Sequence, residues 1–230
     1  MKKAILSLAA VITLFALMGC NNRDGEVVTP VQAQTLKPMQ QSWRGVLPCA
    51  DCEGIDTSLF LEKDGTWVMN QRYAGANGHR TFASYGKWAR TADKLVLTAA
   101  SGEKRYFHPK GEALEMLDRE GNPIDSRLNY TLQPVKAELP ATPMAMRGMY
   151  IYMANTGLFT DCATGQRIVM KPDTLLEKQF NQMRRESGQA VLLELNGHFM
   201  VQVRSNSGSA ERILVVDNDA RFTAGKDCND

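Results

Sequence analysis

Residues 57–90 read TSLFLEKDGTWVMNQRYAGANGHRTFASYGKWAR, and this stretch decides the fold. A strand-like run from Thr57 to Glu62 meets the turn triplet Lys63-Asp64-Gly65, and a second run follows from Thr66 to Tyr73. Gly75-Ala76-Asn77-Gly78 then carries a hairpin signal ahead of a third run, Phe82 to Arg90. Links this short join antiparallel neighbours. The pattern extends upstream to Arg44–Leu47 and downstream to Lys94–Thr98, Glu103–His108, Ala113–Asp118 and Arg127–Gln133, with a turn at Glu120-Gly121-Asn122-Pro123 before the last. Eight short antiparallel strands favour a small closed barrel, because closure removes exposed edges; a sandwich is the alternative.

Past this region Pro134, Pro140 and Pro143 break periodicity and mark a domain boundary. The second half predicts strands at Arg147–Met153, Leu158–Cys162 and Arg167–Met170, then a helix. Thr174-x-x-Glu177 reads as its capping box, Leu175, Leu176, Phe180 and Met183 as its apolar face, and Gly188 as its stop. Further strands fall at Ala190–Leu195 and Phe199–Arg204, joined by an Asn196-Gly197 turn, and at Arg212–Val216. Three strands, a helix and two or three strands suit an OB-like barrel with the helix plugging one end. The fold expectation is therefore mainly all-β, with two small barrels.

The chain of 230 residues carries 27 Lys+Arg against 25 Asp+Glu, an excess that Lys2 and Lys3 alone account for. A neutral body argues against a nucleic-acid footprint, which needs a basic face, although a zero sum leaves room for a local patch. With 43% hydrophobic and 23% charged residues the composition is that of a globular protein. Residues 1–19 read as a signal peptide: a basic start, an apolar run from Ala4 to Met18, and a stretch too short for a membrane span. The ending Leu17-Met18-Gly19-Cys20 resembles the lipobox of bacterial lipoproteins, which makes Cys20 the acylated anchor. In that resemblance Asn21 is the sorting residue, and since it is not the aspartate of inner-membrane retention the expected address is the outer membrane. The anchored body faces the periplasm, with surface exposure as the alternative. Residues 20–41 form an acylated flexible tether with a reach of roughly 25 Å. The remaining boundaries are 42–135 for the first barrel, 136–143 for the Pro-rich linker and 144–230 for the second.

Four cysteines follow the anchor: Cys49, Cys52, Cys162 and Cys228. An even number in an exported chain favours disulfides. Pairing Cys162 with Cys228 would close most of the second unit into one loop, worth roughly 4 kcal/mol on the chain-entropy model. Its alternative role is a redox-sensing bond. Pro48-Cys49-Ala50-Asp51-Cys52-Glu53 admits three readings: a redox pair, a small inert disulfide, or a two-thiolate site for a soft ion such as Cu(I). A thioredoxin motif would open a helix, and a zinc site would need a second ligand pair, so neither is favoured. The cluster Met144, Met146, Met149 and Met153 suggests copper through its thioethers. Against that, Met149 and Met153 share strand parity and fill gaps in a core equally well. For catalysis the inventory is thin. His79, His108 and His198 fall at turns or strand ends, and there is no G-x-S-x-G, P-loop or H-E-x-x-H. The chain is expected not to be an enzyme.

Ser42-Trp43-Arg44-Gly45-Val46-Leu47-Pro48-Cys49-Ala50-Asp51-Cys52-Glu53-Gly54-Ile55, the segment Phe159-Thr160-Asp161-Cys162-Ala163-Thr164-Gly165 and the run Glu112 to Ile124 closely resemble the NlpE family. These are copper-homeostasis and envelope-stress outer-membrane lipoproteins of enteric bacteria. The resemblance implies a lipocalin-like N-terminal barrel, an OB-like C-terminal domain with one helix, and a non-enzymatic role. That role is to activate the Cpx two-component response upon surface contact, lipoprotein mistrafficking or redox stress, with a link to copper tolerance. It places Cys49 and Cys52 as the metal or redox motif and Cys162–Cys228 as the C-terminal disulfide. The implied partners are the periplasmic domain of the Cpx sensor histidine kinase, the lipoprotein sorting machinery and the outer membrane; no cofactor is required, and copper as Cu(I) is the candidate ion. Two alternatives stand beside this: a periplasmic copper-binding chaperone using the CxxC thiols, and a carrier of a lipid or small ligand. The Pro134–Pro143 connector also leaves room for a domain-swapped homodimer.

Overall fold

The turn signals divide the first half into β1 (Gln41–Leu47), β2 (Gly54–Leu61), β3 (Thr66–Gly75), β4 (Gly78–Arg90), β5 (Leu95–Ala99), β6 (Lys104–Lys110), β7 (Ala113–Met116) and β8 (Thr131–Val135). The computed structural model describes residues 41–75, 78–91, 93–184, 186, 188–203 and 208–230. Signal segment, Cys20, Asn21 and tether up to residue 40 lie outside the described residues. Each strand pairs antiparallel with the next, and β8 returns to β1 with Ser42 opposite Val135, which closes the barrel. This is the up-and-down architecture of lipocalins.

Asp64 shapes the β2–β3 turn, its Oδ1 accepting from Thr66 N at 3.0 Å and Thr66 Oγ1 at 2.6 Å. Strand β8 starts later than Arg127 because side chains take over the backbone there. Leu128 N donates to Ser126 Oγ and Thr131 N donates to Asn129 Oδ1, local bonds that compete with a ladder. Inside, Trp43, Leu59, Trp67, Leu97, Phe107 and Leu132 fill the barrel. The buried indoles are satisfied by backbone: Trp43 Nε1 donates to Glu112 O at 2.7 Å and Trp67 Nε1 to Lys87 O at 3.0 Å. The reading as a carrier of lipid or small ligand requires an open interior, and these side chains occupy it.

The second half forms β9 (Met144–Met153), β10 (Thr156–Asp161), β11 (Arg167–Met170), α1 (Thr174–Met183), β12 (Val191–Val203) and β13 (Ala210–Thr223). The closed order is β10-β11-β13-β12-β9, with β11 and β13 parallel at Val169 opposite Ile213. A parallel pair needs a long crossover, which α1 and β12 supply.

Three local expectations are corrected. Asp173, not Thr174, is the N-cap: its extended backbone (φ −143°) lets the carboxylate accept from Leu175 N at 2.9 Å and Leu176 N at 3.0 Å. Leu176 and Phe180 are the buried pair on the helix, Leu175 faces out, and α1 ends at Met183, ahead of Gly188. Phe180 meets Tyr150 edge-on at 5.1 Å between ring centroids. Next, Asn196-Gly197 is no hairpin turn. β12 runs through it with register shifts, and Asn196 Nδ2 reaches across to Asn218 Oδ1 at 3.0 Å and Asp219 Oδ2 at 2.7 Å. Any Cβ at Gly197 would stand 2.5 Å from Val215 O, so the position is a bulge at a barrel corner where two backbones touch. Finally, Met144 and Met146 are the core-facing methionines of β9, whereas Met149 is half-buried on the opposite parity and Met153 is exposed. These four thioethers do not share a face.

Both barrels belong to one compact unit. Phe60, Val68 and Tyr85 point outward from β2, β3 and β4 yet are buried, because they join a core with Met144, Tyr150 and Phe199 of the second barrel. Leu139 of the linker packs against the same core.

The tightest strand approach in the first barrel is at Gly86, where a Cβ would lie 1.9 Å from Thr98 O. Replacing Gly86 with Ala should lower the free energy of unfolding by about 1–3 kcal/mol, the range of an overpacked site. Urea denaturation followed by tryptophan fluorescence reads the shift, and an unchanged midpoint would refute the close approach.

Candidate functional site

Residues 48–53 link β1 to β2 and carry the CxxC segment. Glu53 N donates to Ala74 O at 3.0 Å, tying the end of the loop to β3. Cys49 and Cys52 are joined as a disulfide with Cα atoms 5.3 Å apart, both half-buried. Asp51 Oδ1 lies 3.5 Å from Cys49 Sγ, a contact rather than a hydrogen bond, since a disulfide sulfur carries no proton. The two sulfurs and the Asp51 carboxylate lie within 4.8 Å of one another. A Cu(I) ion needs thiolate donors, and a disulfide offers none, so the pair does not fit the ion in this oxidation state.

Beside this loop the outer face of the first barrel is polar. Arg44 grips Asp56 with two bonds, 2.9 and 2.6 Å, and Arg72 approaches the same carboxylate at 3.4 Å. The Arg44 hydrogen bond holds the Asp56 carboxyl below the ordinary carboxylate range, against a smaller opposing effect of burial. Two clefts of about 400 and 460 Å³ share these three residues, one running toward Glu53 and the other toward Lys136 and Glu138.

The second disulfide, Cys162–Cys228, closes a separation of 66 residues with Cα atoms 5.3 Å apart. Cys162 immediately follows β10, and its N–H donates to Arg147 O on β9 at 2.9 Å. Arg147 in turn holds the C-terminal segment, its Nη2 donating to Asp227 O at 2.9 Å. The disulfide therefore staples the β10–β11 turn to the chain's end.

That turn meets the outer face of the first barrel. Asp161 is 1% exposed, and its Oδ2 accepts from Thr164 N at 2.7 Å and Thr164 Oγ1 at 2.6 Å. Its Oδ1 accepts from the Tyr85 hydroxyl of β4 at 2.7 Å. Burial, followed by the adjacent Asp161 charge, pushes the Tyr85 hydroxyl well above the ordinary phenol range, so it remains a donor. A second bridge lies alongside: Arg212 of β13 donates to Asp64 Oδ2 and Thr66 Oγ1, each at 2.7 Å, while its guanidinium stacks 4.5 Å above Phe199. Gln166 Nε2 adds a bond to Asp64 O at 3.0 Å.

Among the described residues, the His108 and His198 side chains bond to other partners. The backbone of His79 lies opposite Ala74 in the β3–β4 ladder. His108 is exposed on β6, and its Nδ1 contacts Asp93 O at 2.8 Å. His198 is a residue of β12 rather than of a turn, and its Nδ1 lies 2.9 Å from Asp217 Oδ2. Sequence reasoning missed Tyr85, Asp161, Arg212 and Asp64. A signal existed in Asp161-x-x-Thr164, the spacing of an aspartate that caps its own turn, directly before a cysteine.

Comparison with known proteins follows this two-barrel division. Residues 43–127 match the family described as NlpE N-terminal domain, and residues 140–229 match that described as NlpE C-terminal OB domain. The chain is 57% identical over 230 residues to Lipoprotein NlpE of Escherichia coli strain K12, covering 99% of this chain and 98% of the relative. It is similar as well to a crystal structure described as that of the Cpx pathway activator NlpE from Escherichia coli, at 57% identity. That match covers 84% of this chain and all of the other, with a TM-score of 0.41.

The oxidation state of the CxxC loop should govern its copper chemistry. Anaerobic Cu(I) titration is expected to give one more equivalent bound after reduction than before, and to lose it in a Cys49→Ser/Cys52→Ser variant. Equal stoichiometry in all three samples would remove the loop from copper binding.

Proposed function

The chain belongs to the NlpE family of lipoproteins, and from that premise we propose that it is a lipid-anchored envelope protein that activates the Cpx two-component stress response without catalysing a reaction. One observation carries this reading: 57% identity running through the anchor segment and both barrels to a lipoprotein whose crystal structure is described as that of a Cpx pathway activator.

The proposed mechanism uses location. Cys20 receives the lipid, and Asn21 lets the sorting machinery deliver the protein to the outer membrane, where the body faces the periplasm. When the protein accumulates at the inner membrane, the first barrel meets the periplasmic domain of the sensor kinase and shifts its equilibrium. Anchor and tether act by raising effective concentration, as linkers do between any two binding modules. Redox stress enters through Cys162–Cys228, since leaving that 66-residue span open removes roughly 4 kcal/mol of loop-closure stabilisation from the second barrel.

A second reading, copper tolerance through a chaperone-like site, is favoured by the convergence of Cys49, Asp51 and Cys52 within 4.8 Å. It requires the loop to be reduced, the same condition that leaves Cys162–Cys228 open.

The location mechanism is tested with Asn21→Asp, expressed at native level in an enteric host lacking its own copy. Fractionation should place the variant at the inner membrane, and a Cpx-dependent reporter should rise several-fold. A silent reporter with the protein demonstrably retained there would contradict the mechanism.

A further inference from the structure

The outer face of the first barrel carries a cleft that neither the anchor nor the disulfides use. Its floor is Ser58 on β2, Asn70 on β3 and Thr81 on β4, and the linker residues Lys136, Glu138 and Pro140 roof it, leaving about 460 Å³. The roof is pinned on both sides of the cleft. Ser42 Oγ donates to Val135 O at 2.5 Å, and Leu139 packs against the core shared by the two barrels.

Two features of this cleft point to a ligand. Asn70 is half-buried, and its Oδ1, sealed from solvent, is the one buried side-chain nitrogen or oxygen among the described residues without a hydrogen-bond partner. A buried acceptor left open is costly and calls for an explanation. Rotation about the terminal torsion of the side chain, which is broad for a carboxamide, turns that oxygen toward a donor in the cleft. The second feature is Arg72, two residues further along the same face of β3. Arg44 engages both oxygens of Asp56 at 2.9 and 2.6 Å, so those two charges cancel. Arg72 reaches Asp56 through one nitrogen at 3.4 Å, and its side chain is 51% exposed. Most of its five N–H donors are therefore uncommitted. With Lys136 set against Glu138, the cleft keeps one positive charge over, at Arg72. The complement is a single carboxylate with an N–H donor beside it, which is the chemistry of a peptide chain end. A roofed cleft of this volume is the size of a small-ligand pocket and leaves no room for the side of a folded domain.

We propose that this cleft binds a short peptide by its chain end, with the carboxylate on Arg72 and the adjacent main-chain N–H on Asn70 Oδ1. This goes beyond the stress-response role and does not depend on it, so the two fail separately. The test uses N-acetyl-trialanine as the probe and the mature acylated chain in detergent micelles, followed by amide NMR shifts. Shifts are expected to concentrate at residues 56–58, 70–74, 81 and 136–138, with the sub-millimolar dissociation constant of a ligand of this size. The C-terminal amide of the same peptide lacks the carboxylate and acetate lacks the N–H, and each should bind roughly tenfold or more weakly. Arg72→Gln should weaken the acid roughly tenfold and leave the amide where it was, whereas Asn70→Ala should weaken both. Both variants should keep the spectrum of the second barrel, which shows that they fold. The proposal is overturned if the peptide moves no resonance at these positions at millimolar concentration, or if acid and amide bind equally. Arg72→Gln that keeps the preference for the acid, or Asn70→Ala that binds as before, would overturn it as well. Acetate binding as tightly as the peptide would do the same, because a site for any small anion would then be enough.

Discussion

A carboxylate sealed from water must find partners, and in this protein that requirement joins two barrels into one body. Asp161 has no solvent to turn to, and its two oxygens are satisfied by Thr164 from its own turn and by Tyr85 from the other barrel. Any slide or rotation at the junction would leave that oxygen unpaired, at a cost of several kcal/mol for a buried charged group. The apolar contacts of Phe60, Val68 and Phe199 are tolerant of small displacements, as apolar contacts are; the hydrogen bond sets the position. Arg212 on Asp64 and Thr66 reinforces the same placement from the side.

The proposed function follows from where this constraint lies. The anchor precedes the first barrel in sequence, the CxxC loop sits between its first two strands, and the larger disulfide lies in the second barrel beside the junction. In the proposed mechanism, distance from the partner is governed by the anchor, and the stability of the second barrel by Cys162–Cys228. The junction lies between these inputs, so in that mechanism a lipoprotein with no catalytic motif in its sequence responds to more than one kind of envelope damage.

Much of the fold was legible because local chemistry and long-range pairing agree. Lys63-Asp64-Gly65 lies between consecutive strands in both the sequence reading and the structure, and Arg167–Met170 was read to the residue. Asn196-Gly197 misled because the same pair that favours a tight turn also suits a bulge, and only the facing strand, with Val215 O against Gly197, decides between them. Thr174 yielded the cap to Asp173 because a box motif shifted by one residue offers the helix the same kind of oxygen. The junction was the least legible part. Tyr85 and Asp161 are 76 residues apart, and each reads as an ordinary strand residue. The clue was the unbroken apolar runs Leu59-Phe60-Leu61 and Trp67-Val68-Met69, which bury both faces of strands that a lone barrel would leave wet on one side.

The central claim, that one hydrogen bond couples the barrels, is tested most directly by a double-mutant cycle. Tyr85→Phe, Asp161→Asn and the pair would be compared by urea unfolding of the oxidised protein. The account predicts a coupling energy of about 1.5–3 kcal/mol, as for a buried hydrogen bond to a carboxylate. Additivity within about 0.5 kcal/mol would contradict it, and would leave the junction to the apolar faces and the Arg212 and Gln166 bonds.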